Sequence, residues 1–156
     1  MTNASQALIR DLQIARAELF ATLDTIDPAA LEAPGLVGNW TARELVAHLG
    51  YWTGHAVDLI HAVESGRAAE AGIGQRSVDE INETVARVAR QTDLASVRKR
   101  EAASAQALAE RLIEIDPAVL AERLPDGTTL AEDIDEDGPA HYREHLAALR
   151  SRRVDR

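Results

Sequence analysis

Leu8, Leu12, Ala15, Leu19 and Leu23 fall at spacings of three and four residues, the repeat that lines one face of an α-helix and not of a strand. The same rhythm returns in Leu45, Leu49, Trp52, Ala56, Leu59 and Val63, again in Val78, Ile81, Val85 and Val88, and again in Val97, Ala105, Leu108, Leu112 and Ile115. A chain so written must bury its stripes by packing helix on helix. Hydrophobic residues make up 46% of it and aromatics only 3%. The core is therefore built from Leu, Ala, Val and Ile, a helix-packing set. At 156 residues, one domain spanning the chain is expected, with a core that needs no disulfide or metal staple.

Caps and breakers divide the stripes. The first helix is expected over residues 4–26, ending at Asp27-Pro28, because the residue before a proline avoids the helical region. Thr41 and Glu44 make a capping-box pattern that opens a second helix, which ends near Ser65-Gly66, and Ser77 with Glu80 repeats the pattern. A break near residues 91–93 precedes a longer helix to about Ile115, stopped by Asp116-Pro117. A short helix is expected near residues 129–134, and a last one from Gly138-Pro139, proline being suited to a first turn. Ile26-Asp27-Pro28-Ala29-Ala30-Leu31 resembles Ile115-Asp116-Pro117-Ala118-Val119-Leu120. Each follows a long helix and leads towards a histidine-bearing one. That suggests two helical hairpins about a pseudo-twofold axis, hence a four-helix bundle.

Charge narrows the partners. The formal net charge is −9, against nucleic acid, which needs a basic patch, and against an anionic membrane surface. No apolar run is long enough to span a bilayer, and the N-terminus lacks the charged and apolar regions of a signal peptide. A cytoplasmic location is the expectation. There is no cysteine, which excludes a protein thiol nucleophile and any thiolate ligand; thiol chemistry would need an external thiol.

Three histidines carry the chemistry. His141 and His145 stand four residues apart, one turn apart on one helix face. His48 sits in the inward stripe with Leu45, Leu49 and Trp52. A buried imidazole needs partners for its nitrogens, since an unsatisfied polar group costs on the order of 1–3 kcal/mol. A core hydroxyl or carbonyl would serve, and so would a metal ion held between facing helices. His55 lies two turns beyond His48, about 10 Å along the axis, too far to share an ion, and His61 faces away. Glu44, one turn before His48 on the same side, is either the capping-box partner of Thr41 or an outer partner or fourth ligand lining the site, and Trp52 either packs the core or walls a pocket. Tyr142 is a further candidate for the pocket. The acidic run Asp133, Asp135, Glu136 and Asp137 lacks the EF-hand pattern and suits a helix N-terminus.

Gly38-Asn39-Trp40-Thr41-Ala42-Arg43-Glu44-Leu45-Val46-Ala47-His48-Leu49 resembles the G-x-W-[ST]-x-[RK]-[DE]-[LV]-[LV]-x-H-[LI] signature of the DinB/YfiT-like superfamily, which includes the N-terminal domain of mycothiol-dependent maleylpyruvate isomerase. His141-Tyr142-Arg143-Glu144-His145-Leu146 resembles its closing H-x-x-x-H-[LI] helix, and Val78-Asp79-Glu80-Ile81-Asn82 a segment between the two. The resemblance covers nearly the whole chain. It implies an all-α, up-down-down-up four-helix bundle and a divalent metal held by His48, His141 and His145. Characterised members include transferases and isomerases that use mycothiol, bacillithiol or glutathione, and hydrolases of a genotoxin.

The expectation is a metal-dependent enzyme, a thiol S-transferase, isomerase or hydrolase acting on a small electrophilic substrate. Zinc or nickel is the expected metal, with iron as an alternative, and a low-molecular-weight thiol such as mycothiol the expected co-substrate. A homodimer is compatible with this reading. The rival is a non-catalytic bundle that binds a metal or a small molecule.

Overall fold

In the computed structural model, which describes residues 3–154, each apolar stripe becomes a helix. Four long helices form the bundle: α1 (Asn3–Leu23), α3 (Ala42–Glu64), α5 (Leu94–Glu114) and α8 (Pro139–Val154). Shorter ones connect them: α2 (Pro28–Glu32), α4 (Val78–Arg90), α6 (Pro117–Leu120) and α7 (Leu130–Asp137). Among the described residues, strand-like pairing is limited to two isolated bridges, Val37 with Trp40 and Arg123 with Thr129. Among these residues, no helix is long and apolar enough to cross a membrane.

Side-chain pairs along the helices give their directions. Between α3 and α5, Arg43 pairs with the Thr92 carbonyl, Gly50 lies against Glu101, and Glu64 pairs with Arg111. Both numbers rise together, so these helices are parallel. Between α1 and α5, Arg16 meets Glu101 and Asp24 meets Arg98, so those two are antiparallel. Glu18 reaches Arg150 from α1 to α8, while Leu12 lies against Gly138 just before α8, a parallel pair. The topology is up-down-down-up, and α4 lies in the long crossover that two successive parallel helices require.

Local chemistry explains the boundaries. Thr41 with Glu44 and Ser77 with Glu80 both close as full capping boxes, and Thr129 with Glu132 adds a third. The first helix stops at Leu23 and not at residue 26. There the Thr25 and Ile26 amides bond to the Thr22 and Leu23 carbonyls, three residues back, which tightens the last turn. The Asp-Pro pairs do more than end helices. Asp27 and Asp116 each cap a new short helix by accepting from the Ala29 and Ala118 amides, with proline at its first position. The short helix expected over 129–134 continues to Asp137, so the acidic run lies inside α7, and Gly138 alone separates α7 from α8. A Cβ at Gly138 would stand 2.9 Å from the Ile134 carbonyl oxygen; only glycine lets the chain turn there and aim the start of α8 inward.

The core is the expected aliphatic one, with Leu12, Leu19, Leu45, Leu49, Leu108 and Leu112 at most 2% exposed, each worth roughly 1.5–3 kcal/mol on burial. One polar network crosses it. Glu101 on α5, 1% exposed, takes two bonds from the Arg16 guanidinium of α1, at 2.6 and 2.7 Å. It also accepts from the Tyr142 hydroxyl of α8, which meets Thr53 of α3 at 3.3 Å. All four bundle helices are joined through one carboxylate.

Candidate metal centre

His48 lies almost two turns into α3, on the side that faces α8, and His141 and His145 occupy the first turns of α8. The structure brings them together. Nε2 of His141 is 2.7 Å from Nε2 of His48 and 3.1 Å from Nε2 of His145, and one ligand nitrogen from each lies within 4.8 Å of the others. Three imidazoles about 2.1 Å from a shared ion have nitrogens about 3.0–3.4 Å apart.

The tautomer of His48 follows from its neighbours. The Trp52 indole N–H can only donate, so the Asn82 atom it meets at 2.9 Å is the acceptor oxygen Oδ1. The same oxygen lies 3.1 Å from His48 Nδ1. His48 therefore carries its proton on Nδ1 and directs a lone pair from Nε2. Asn82 comes from α4, so the crossover helix orients the His48 ring.

Burial keeps the rings neutral. It lowers His48 to about 3 and His141 to about 4, helped by the neighbouring imidazoles, and lowers His145 as well, against the pull of the Glu144 carboxylate. His141 Nδ1 is buried without a well-formed hydrogen bond; the Asp137 carbonyl one turn earlier still biases it towards the protonated form. With neutral rings, His141 Nε2 has at most one proton for two short contacts. A cation among the three Nε2 atoms would take a lone pair from each. The donor set fits a divalent metal ion.

A cavity of ≈ 360 Å³ opens over these nitrogens. Trp40 and Trp52 wall it, with Asn82 beneath and Glu136, Asp137 and Glu144 around it. The Trp40 ring lies 4.6 Å from that of His48, centroid to centroid. Trp52 thus serves both readings, being 7% exposed and yet lining the cavity.

Two of the expected pocket residues lie elsewhere. Tyr142 points away from its histidine neighbours into the core, because on a helix adjacent positions face different sides, and its hydroxyl is taken by Glu101. Burial and that carboxylate drive its pKa up. Glu44 is buried in the capping box, where Oε2 accepts from the Thr41 amide at 2.8 Å and Oε1 from Arg90 at 2.8 Å. Those bonds hold its pKa down against burial, and it does not line the cavity. His55 stays outside the cluster; its Nδ1 donates to Asp137 Oδ2 at 2.7 Å. His61 is exposed. The sequence pattern gave no role at this cavity to Asn82, Trp40, Glu136, Asp137 or Glu144. Asn82 and Trp40 were visible as motif residues, whereas nothing in the local pattern places the acids at the cavity.

Known proteins share this architecture. An uncharacterised protein from Escherichia coli UTI89 superposes with a TM-score of 0.79 at 13% identity, covering 97% of this chain and 93% of that one. The mycothiol-dependent maleylpyruvate isomerase superposes at 0.73 with 16% identity, covering 96% of this chain and 63% of the isomerase. A single-substitution variant of that enzyme gives the same TM-score at 15% identity. The chain thus spans less than two thirds of the isomerase. No curated protein matches the sequence. The profile of the mycothiol maleylpyruvate isomerase N-terminal domain matches residues 12–147, most of the chain. The protein belongs to the mycothiol maleylpyruvate isomerase N-terminal domain family, within the DinB-like fold.

Proposed function

We propose that the protein is a divalent-metal-dependent enzyme that joins a low-molecular-weight thiol or water to a small electrophilic substrate, as an S-transferase, isomerase or hydrolase. The observation that carries this reading is the convergence of three neutral Nε2 atoms at the floor of a cavity large enough for a small molecule. His48, His141 and His145 would hold the metal. Three neutral ligands leave a divalent ion its full charge, and when bound it supplies Lewis-acid activation of a thiol or water.

The chain's own residues arrange the rest. Asn82 fixes the tautomer of His48, and Trp40 and Trp52 shield the nitrogens and offer flat apolar walls to a substrate. No residue of the chain can act as the thiol, since it has no cysteine. A mycothiol-like co-substrate is supported by family membership, and the reducing cytoplasm is where such a thiol persists.

The test is elemental analysis of untagged protein, followed by thiol consumption with a panel of electrophiles. About one zinc, nickel or iron per chain is expected, lost in a His48→Ala/His145→Ala double variant and kept in His61→Ala. Full metal retention in the double variant would end the reading. Metal binding with no turnover of any thiol or electrophile would favour the non-catalytic binding bundle.

A further inference from the structure

The mouth of the histidine cavity has charge of only one sign. Glu136, Asp137 and Glu144 line it, and no lysine or arginine does so among the described residues. Arg143 turns to Asp135 at 3.2 Å, and Arg90 binds Glu44 and Glu83. Asp137 is partly compensated, because the His55 imidazole donates to it at 2.7 Å. Glu136 and Glu144 are exposed and form no ion pair among the described residues.

We infer that, for a ligand whose inner end meets the charge of the metal, this mouth disfavours a further negative charge at the outer end and accepts an uncharged or cationic one. The inference rests on the metal reading proposed above and adds a substrate class to it. A ligand entering towards the three Nε2 atoms passes two carboxylates that no cation neutralises. Each unit charge within about 7 Å, in a water-like dielectric, changes binding about threefold, and two together change it about sevenfold. The effect fades as salt shortens the Debye length to about 8 Å and below. The walls between the acids are indole rings, which suit an apolar or cationic body.

The experiment uses cobalt-loaded full-length protein and three thiols of equal length: mercaptopropanol, mercaptopropanesulfonate and aminopropanethiol. The cobalt–thiolate absorption band reports binding of each. At low ionic strength the sulfonate is expected to bind about fivefold to tenfold more weakly than the alcohol, and the amine at least as tightly as the alcohol. In Glu136→Gln/Glu144→Gln the sulfonate penalty should shrink to about twofold or less. Salt should shrink it likewise in the unaltered protein, an arm that requires no variant to fold. Equal binding of all three thiols by protein with a normal cobalt spectrum overturns the charge selection alone. A sulfonate penalty unmoved by both the double variant and salt also overturns it. Failure to take up cobalt at the histidines removes the metal reading, and the selection falls with it.

Discussion

Replacing Asn82 tests whether the crossover helix sets the metal affinity of the bundle. Asn82 Oδ1 accepts from His48 Nδ1 at 3.1 Å and from Trp52 Nε1 at 2.9 Å. In Asn82→Ala both donors lose their acceptor, and His48 becomes free to place its proton on Nε2, where it competes with the metal. Loss of such an outer partner typically weakens metal binding about 10–100-fold, equivalent to about 1.4–2.7 kcal/mol. Asn82→Asp keeps an acceptor for both donors and makes it anionic, which strengthens the bond to Nδ1–H and raises the basicity of the ligand nitrogen. Its affinity should equal or exceed that of the unaltered protein. Trp52→Phe removes the indole donor alone and should change affinity by less than about threefold, a loss of under about 0.7 kcal/mol. The assay is competition with a chromogenic chelator at neutral pH, with circular dichroism to show that each variant is helical. The reasoning is refuted if Asn82→Ala binds metal as tightly as the unaltered protein. It is equally refuted if Asn82→Asp falls as far as Asn82→Ala, because the acceptor at Oδ1 would then not be what matters.

Other consequences are open to measurement. In metal-free protein, His48 and His141 are lowered to about 3 and 4 from about 6.5 in the unfolded chain. Their preference for the folded state is therefore full at neutral pH and is lost as pH falls from about 6.5 towards those values, at up to about 1.4 kcal/mol per pH unit per histidine; urea midpoints of chelated protein that do not change between neutral and mildly acidic pH would contradict this. Chelation at neutral pH should lower Tm yet leave the helical circular dichroism intact, because the leucine core forms without the ion; a coil spectrum would show the metal to be structural. Tyr142→Phe should cost about 1.5–3 kcal/mol in urea unfolding for its lost hydrogen bond to a charged group and leave metal affinity unchanged, since the hydroxyl faces Glu101 and not the cavity. Gly50→Ala places a Cβ 3.0 Å from the Glu101 Cα; spreading α3 from α5 should cost about 1–3 kcal/mol, read as a fall in Tm.

The fold was largely legible because its signals are local. A stripe at helical spacing, a Thr-x-x-Glu box and an Asp-Pro stop each act within one or two turns, and α3, α4 and α5 start where those signals place them. The two Asp-Pro hexapeptides mark a likeness that continues in space. Each caps a short helix, runs through a single β-bridge, and reaches a threonine capping box at Thr41 or Thr129. What local reading missed was the second use of those caps, as starts and not only as stops, because a proline that ends one helix is also preorganised to begin the next.

The site was legible to the extent that helix periodicity decides it. His141 and His145 share a face at i and i+4, and His48 lies in an apolar stripe, so all three point inward, and packing α3 against α8 makes them meet. Periodicity also decides against Tyr142. It follows His141 by one residue and is rotated about 100° from it, which takes its hydroxyl to Glu101 on another helix. Nothing in the sequence pairs residue 142 with residue 101, because that contact depends on α5 lying parallel to α3 after the long crossover. The part Asn82 plays is hidden for the same reason. Its role as acceptor depends on α4 folding back over α3, antiparallel, with Arg90 reaching Glu44 at one end while Asn82 reaches His48 at the other. Glu44 then acquires a partner that its capping box does not need, and that pairing holds α4 at the register where Asn82 meets the His48 ring. The residues that sequence could not assign are those whose partners come from a different helix, and in this bundle such partners set the proton on His48.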